Sequence, residues 1–168
     1  EPLNNFFEKL ENTYVENCKT VKQVKAYLDE LETSFTEIIT ELDFIPDNED
    51  DTWAQKVLIQ ISKIKNELAS MVPWLLLPGV PARFEYLMDD LEAIPAIREL
   101  ANIEQHLLQK IVTASSPDNT LEENEWLTML RNFITDAGRK GKEILLTLEQ
   151  LALKCAALSV IEYDFLYD

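Results

Sequence analysis

Glycine is scarce in this sequence, with three residues in 168. Phosphate-cradling loops and β-turns both rely on glycine, so a Gly-rich nucleotide site and a turn-rich β architecture are not expected. Cysteine is also sparse: Cys18 and Cys155 lack metal-ligand spacing, and the expectation is reduced thiols in a cytosolic setting. Histidine occurs once, at His106. Any Ser-His-Asp or Cys-His arrangement has to be built around it, and no nucleophile motif accompanies it. A helical di-iron site needs two Glu-x-x-His pairs, but residue 103 is Ile, so not even one pair exists.

Positive charge is the next shortage. Lys and Arg number 15 against 31 Asp and Glu, a net charge of −16, so the surface should repel nucleic-acid phosphates and anionic lipid headgroups. Nucleic acid is excluded as a partner on these grounds. The longest apolar stretch, around residues 72–80, is broken by Pro73 and Pro78 and falls short of the roughly 20 residues that span a bilayer. A soluble chain with no direct membrane insertion is expected. The opening Glu1-Pro2-Leu3 carries neither an initiator Met nor a basic-then-apolar leader, which suggests an excerpt from a longer chain.

What the chain does have is apolar content: 46% hydrophobic residues are enough for a core and too many for disorder. Three helix starts are written in capping boxes, at Thr20-Val-Lys-Gln23, Thr52-Trp-Ala-Gln55 and Thr120-Leu-Glu-Glu123. After the first, Val24, Leu28, Leu31, Phe35, Ile38 and Leu42 form one helical stripe. Trp53, Val57, Ile61, Ile64, Leu68 and Met71 form the next, ended by Pro73, and the two helices should fold back on each other across the acidic turn at 46–51. A helix from Ala96 to about Thr113 should bury Ile97, Leu100, Ile103, Leu107 and Ile111.

The longest pattern runs Trp126, Leu130, Phe133, Ala137, Gly141, Ile144, Leu148, Leu151, Cys155, Leu158, with a stutter-like step at Ala137 to Gly141. It predicts a spine helix over about 121–162. An additional helix is expected over 3–15, where Phe6, Phe7, Leu10 and Tyr14 share a face. The reading is all-α: a single helical domain over 1–168, a bundle of about five to six helices with a long C-terminal helix and a Pro-rich connection near 73–82.

Candidate chemistry is thin. Asp89, Asp90 and Glu92 are the best local acids, but glycosidase chemistry needs two specifically separated carboxylates, and a solvated acidic face is the plainer reading. No catalytic, cofactor-binding or metal-binding residue is assigned. Pro73-Trp74-Leu75-Leu76-Leu77-Pro78 either plugs the open end of its own bundle or lines a groove for a partner or a sugar, which makes Trp74, Leu75 and Leu76 candidate docking residues. Arg139, Lys140 and Lys142 meet acidic neighbours or a phosphate. Gly138 and Gly141 cost stability inside a helix, and close packing against another element is the simplest reason for them.

The sequence ends on Ile161-Glu162-Tyr163-Asp164-Phe165-Leu166-Tyr167-Asp168, rich in aromatics that are costly to leave in water. Residues 161–168 are therefore expected to lead into a downstream domain, with Tyr163, Phe165, Leu166 and Tyr167 as docking residues. This ending resembles the segment entering the glycoamylase-like domain of cyclic β-1,2-glucan synthases and related cellobiose-phosphorylase-like proteins. That segment runs Met-Asp-Phe-x-Phe-Leu-Tyr-Asp before an Arg-x-Leu-Phe-x-Ile-Gly stretch. Phe165-Leu166-Tyr167-Asp168 matches outright, and Ile161, Glu162 and Tyr163 stand where the pattern has Met, Asp and Phe. Trp53-Ala54-Gln55 and Pro73-Trp74 are similar to sparse landmarks of the helical region that precedes that domain.

The resemblance implies a large parent with a membrane-embedded, UDP-glucose-using glycosyltransferase, a middle glycoamylase-like domain associated with ring closure, and a phosphorylase domain that trims chain length. None of the residues those reactions need can be placed on this sequence. The expected function is a non-catalytic helical scaffold or linker domain, not itself an enzyme, with the downstream glycoamylase-like domain of the same polypeptide as its partner. The expected location is cytoplasmic, with the parent anchored in the inner membrane. The alternative is a free-standing acidic helical protein-interaction module, and a third possibility is direct glucan binding.

Overall fold

The computed structural model describes residues 18–41 and 51–159, together with Glu8. Among these the chain forms five α-helices: α1 (Val21–Glu41), α2 (Asp51–Met71), α3 (Glu85–Asp89), α4 (Ile97–Ala114) and α5 (Leu121–Leu158). Two 3-10 turns, Pro73–Leu76 and Ala82–Phe84, lie between α2 and α3. The described residues contain no strand beyond one bridge between Thr20 and Ala93. The protein is all-α, with a long C-terminal helix. The helix expected over 3–15 lies outside the described residues apart from Glu8, as does Leu42.

Two of the three capping boxes are visible in atomic detail. The Thr20 hydroxyl accepts from the Gln23 amide at 3.2 Å, while Gln23 Oε1 accepts from the amides of Lys19 and Thr20 at 2.8 and 3.1 Å. At α5 the Thr120 hydroxyl accepts from the Glu123 amide at 3.2 Å, and Glu123 Oε2 takes the Thr120 amide at 2.8 Å. Each box satisfies backbone donors that the first turn leaves without partners. Helix α2 begins at Asp51, so Thr52 falls inside its first turn, and the side chains of 51–54 lie outside the described residues.

The main core forms where α4 and α5 pack antiparallel. Leu100, Ile103, Leu107 and Ile111 of α4 are buried with Trp126, Leu127, Leu130, Ile134 and Ala137 of α5. The segment between α2 and α4 closes one side of this pair, contributing Trp74 from the Pro-rich connection and Phe84, Leu87 and Leu91 from around α3. Phe84 stacks on Trp126 with ring centroids 5.8 Å apart. Helices α1 and α2 form the expected antiparallel hairpin around a second, smaller cluster of Leu31, Phe35, Ile38 and Ile61. The two units join at the end of α2, where Leu68, Met71 and Val72 reach the main core, and at Val21, whose amide donates to the Glu92 carbonyl at 3.0 Å.

Three expected stripes are covered only in part. Among the described side chains of α2 only Ile61 is buried, and Ile64 is 41% exposed, because among the described residues α1 covers just one side of this helix. Ile97 sits at the exposed first position of α4. The largest departure is in α5. Its stripe is buried at Trp126, Leu130, Ala137 and Gly141 and half-buried at Phe133, where Ile134 takes the buried place, and at Ile144; then every residue from 146 to 159 is exposed. The physical reason is length: α5 has 38 residues and its partner α4 has 18. At 1.5 Å per residue that is about 57 Å of helix against about 27 Å of cover.

Candidate functional site

The feature left unexplained by folding is the arm of α5 beyond its partner. Exposures reach 57% at Leu146, 56% at Leu151, 72% at Leu153 and 82% at Leu158. At 100° per residue, Ile144, Leu148, Leu151, Ala152 and Cys155 continue the stripe that faces α4 lower down, while Leu146, Leu153 and Ala157 form a second stripe on the opposite side. A contiguous exposed apolar surface of this kind marks a place where something docks.

Base positioning of the arm comes from the glycines. A Cβ on Gly141 would lie 2.6 Å from the Ala101 nitrogen and 2.9 Å from the Leu100 carbonyl carbon. The two helix backbones therefore touch at that crossing, which only glycine permits. Gly138 is packed differently, against the side chain of Glu104. Around this crossing lies the basic cluster. Lys142 pairs with Glu104 across the helices at 2.6 Å. Arg139 pairs with Asp136 and Glu143 on its own helix at 2.9 and 3.5 Å, and the Asp136 hydrogen bond raises its pKa further. Lys140 is exposed and has no ion pair among the described residues.

Trp74 is 2% exposed, and its Nε1 donates to the Leu91 carbonyl at 3.2 Å, so the indole sits inside the bundle with its polar atom satisfied. Leu75 is half-buried and Leu76 is 61% exposed. The surface above Trp74 is an open cleft of about 430 Å³, floored by Leu77, Val80 and Met88, with Lys22, Lys25 and Glu92 at its rim. Those rim lysines are engaged, Lys22 with Glu92 at 3.4 Å and Lys25 with Asp29 at 2.7 Å. Tyr163, Phe165, Leu166 and Tyr167 lie outside the described residues.

The densest charge cluster bridges α1 and α2. Lys65 reaches Asp29 at 2.6 Å and Glu32 at 2.5 Å. Hydrogen bonds from Lys25 and then Lys65 hold the Asp29 carboxyl below its ordinary pKa, and bonds to Asp29 and then Glu32 hold the Lys65 ammonium above its own. Each charge has an opposite partner, so the cluster is a clasp for the hairpin rather than an acid or base seeking a substrate.

The histidine and the local acids weighed from the sequence lie on the surface. His106 is exposed on α4; Asp89, Asp90 and Glu92 are exposed, and Asp90 is paired with Lys110. No group of three or more His, Cys, Asp or Glu residues that could hold a metal occurs among the described residues. None of the described helices is long and apolar enough to cross a membrane. Comparison with family models, with curated proteins and with solved structures returned no match. Sequence reasoning placed Leu148, Leu151 and Leu158 on one stripe with Trp126 and Leu130. Its missed signal was the length mismatch between α4 and α5, visible once both helix boundaries are drawn.

Proposed function

We propose that this chain is a non-catalytic helical scaffold that holds a neighbouring domain at the end of a projecting helix, within a carbohydrate-active polypeptide of the cyclic β-1,2-glucan synthase kind. The observation that carries the reading is α5: a 38-residue helix anchored through Gly141 and then extended, with exposed leucines, well past its partner. A helix is stiff on this length scale, so it fixes both distance and direction between its base and whatever docks on its tip. The resemblance of Phe165-Leu166-Tyr167-Asp168 to the entry of a glycoamylase-like domain supplies the candidate neighbour. The location belonging to this reading is cytoplasmic, with the parent held at the inner membrane.

The groove alternative has less support, because Trp74 is committed to the core. Reading the coding sequence past Asp168 tests the proposal. An Arg-x-Leu-Phe-x-Ile-Gly-like continuation followed by a carbohydrate-active domain is expected, and an unrelated continuation would overturn it.

A further inference from the structure

Beyond α4 the arm carries a seam with nothing packed on it. We infer that a second copy of this chain covers it: two arms pair antiparallel about a two-fold axis near residue 153, through Leu148, Leu151, Cys155 and Leu158 of each. Spacing, register and charge lead there.

From Gly141 the stripe runs through Ile144, Leu148, Leu151, Cys155 and Leu158 in uninterrupted steps of three and four. That is the 3.5-residue repeat of a coiled-coil seam, and its last four members are all exposed. The register follows from α4. Ala101 lies against Gly141 in an antiparallel pair, so Ile97, the first residue of α4, is level with about residue 145 and closes the stripe below that point. A second arm running antiparallel to α5 has to end above it. Setting Leu148 opposite the second copy's Leu158, and Leu151 opposite its Cys155, seats the knobs and fits that space. Sliding one heptad deeper would drive the second copy's Leu158 to the level of Gly141, where α4 already sits.

Charge points to the same partner. The chain carries −16, yet residues 144–159 hold only Glu149 and Lys154 as charged groups, so the arm is neutral. It has no net charge with which to select a basic or acidic partner, and it lets two acidic chains meet where their repulsion is least. In this register the two Gly141 crossings lie about 24 residues apart along the seam, about 36 Å, several times the Debye length of about 8 Å in physiological salt. Parallel arms would instead set two strongly acidic bundles side by side. The one like-charge pair the register creates, Lys154 with its copy, lies on the exposed flank.

Two helices about 10 Å across that touch over about 16 Å bury several hundred Å² in total, short of the about 1,200 Å² of stable complexes, so the association is micromolar and reversible. Leu146 and Leu153, on the opposite side, stay open to a neighbouring domain, and the inference stands whether or not that domain exists.

Sedimentation equilibrium on this chain in physiological salt is expected to show monomer at about 1 μM and a growing share of dimer toward about 200 μM. Leu148→Glu with Leu151→Glu is expected to weaken association at least tenfold, with the helical circular dichroism unchanged because both sites are exposed. A chain that stays monomeric throughout, or a dimer indifferent to both glutamates, would overturn the inference. Oxidation in a Cys18→Ser background reads the register. Cys155 and its copy are offset by four residues, about 6 Å along the seam, which puts their Cα atoms beyond the about 7 Å that a disulfide spans. Leu151→Cys places a thiol level with Cys155 of the second copy, and is expected to give covalent dimer at least tenfold faster than Leu153→Cys or than Cys155 alone. Equal rates for Leu151→Cys and Leu153→Cys would overturn the antiparallel pairing, as would Cys155 alone joining its copy just as fast, the mark of parallel arms.

Discussion

Alanine substitutions at Gly138 and Gly141 should have opposite effects, although they lie three residues apart on one helix. Both replace glycine in a helix interior, and on propensity alone each should gain about 1 kcal/mol. At Gly141 the new methyl meets backbone: the Ala101 nitrogen at 2.6 Å and the Leu100 carbonyl carbon at 2.9 Å, where about 3.5–4.0 Å is comfortable. Backbone cannot rotate away, so α4 and α5 must part by about 1 Å, enough to forfeit a quarter to a half of the dispersion contact along the seam. Overpacking of that kind costs about 1–3 kcal/mol, leaving Gly141→Ala destabilised by about 0–2 kcal/mol after the propensity gain. At Gly138 the methyl meets only the Glu104 side chain, Cγ at 2.9 Å, Cδ at 3.2 Å and Oε2 at 3.3 Å, which can move aside by a change of rotamer. The loss there is limited to a partly exposed pairing with Lys142, worth less than about 1 kcal/mol, so Gly138→Ala should be neutral or up to about 1 kcal/mol more stable. Urea unfolding of both variants should therefore find Gly141→Ala the less stable by about 1.5 kcal/mol, within bounds of about 0–3 kcal/mol. In an isolated peptide of 130–158 both should raise helicity alike. Gly141→Ala as stable as Gly138→Ala in the folded chain would refute the backbone contact and the register built on it.

Other substitutions test the remaining joints. Trp74→Ala should cost about 3–5 kcal/mol by thermal unfolding, whereas Leu76→Ala, two residues on and 61% exposed, should stay within about 0.5 kcal/mol. Thr120→Ala removes one half of the box that starts α5 and should cost about 1 kcal/mol, a melting shift of about 2–4 °C. For the clasp, the lowered Asp29 pKa contributes stability that is present above the unfolded value near pH 4 and is lost as pH falls through the folded one. The raised Lys65 pKa contributes stability that is present below about pH 10.4 and is lost as pH climbs through its folded value. Both groups are partly exposed, so each contribution is under about 1 kcal/mol. Lys65→Met should remove the alkaline limb of a stability-against-pH curve and only make the acid limb shallower, because Lys25 still holds Asp29; an unchanged alkaline limb would show that the Lys65 pairings carry no stability.

What sequence alone could reveal follows from how local each signal is. The boxes at Thr20 and Thr120 involve neighbours within three residues, and both form as written. The stripes of α1 and α4 are also local periodicities, and their central residues are buried. Whether a stripe is covered depends on a partner's length and placement. Leu148 and Leu151 are indistinguishable in pattern from Leu130, yet they are exposed because α4 starts too late to reach them. Ile64 is uncovered for the same kind of reason on α2. The close crossing at Gly141 was legible as a need for room, but naming Ala101 as the neighbour required the register.

The account rests on the arm being built to hold a neighbour rather than to complete this chain's own core. Its most direct test is the double substitution Leu146→Glu with Leu153→Glu, on the exposed stripe of the arm that faces away from α4, measured by melting and by binding to a separately produced glycoamylase-like domain of the kind proposed as the neighbour. The account predicts a melting temperature within about 2 °C of the unsubstituted chain, as expected for surface changes, and at least a tenfold loss of binding. A large fall in melting temperature, or binding that survives both glutamates, would contradict it.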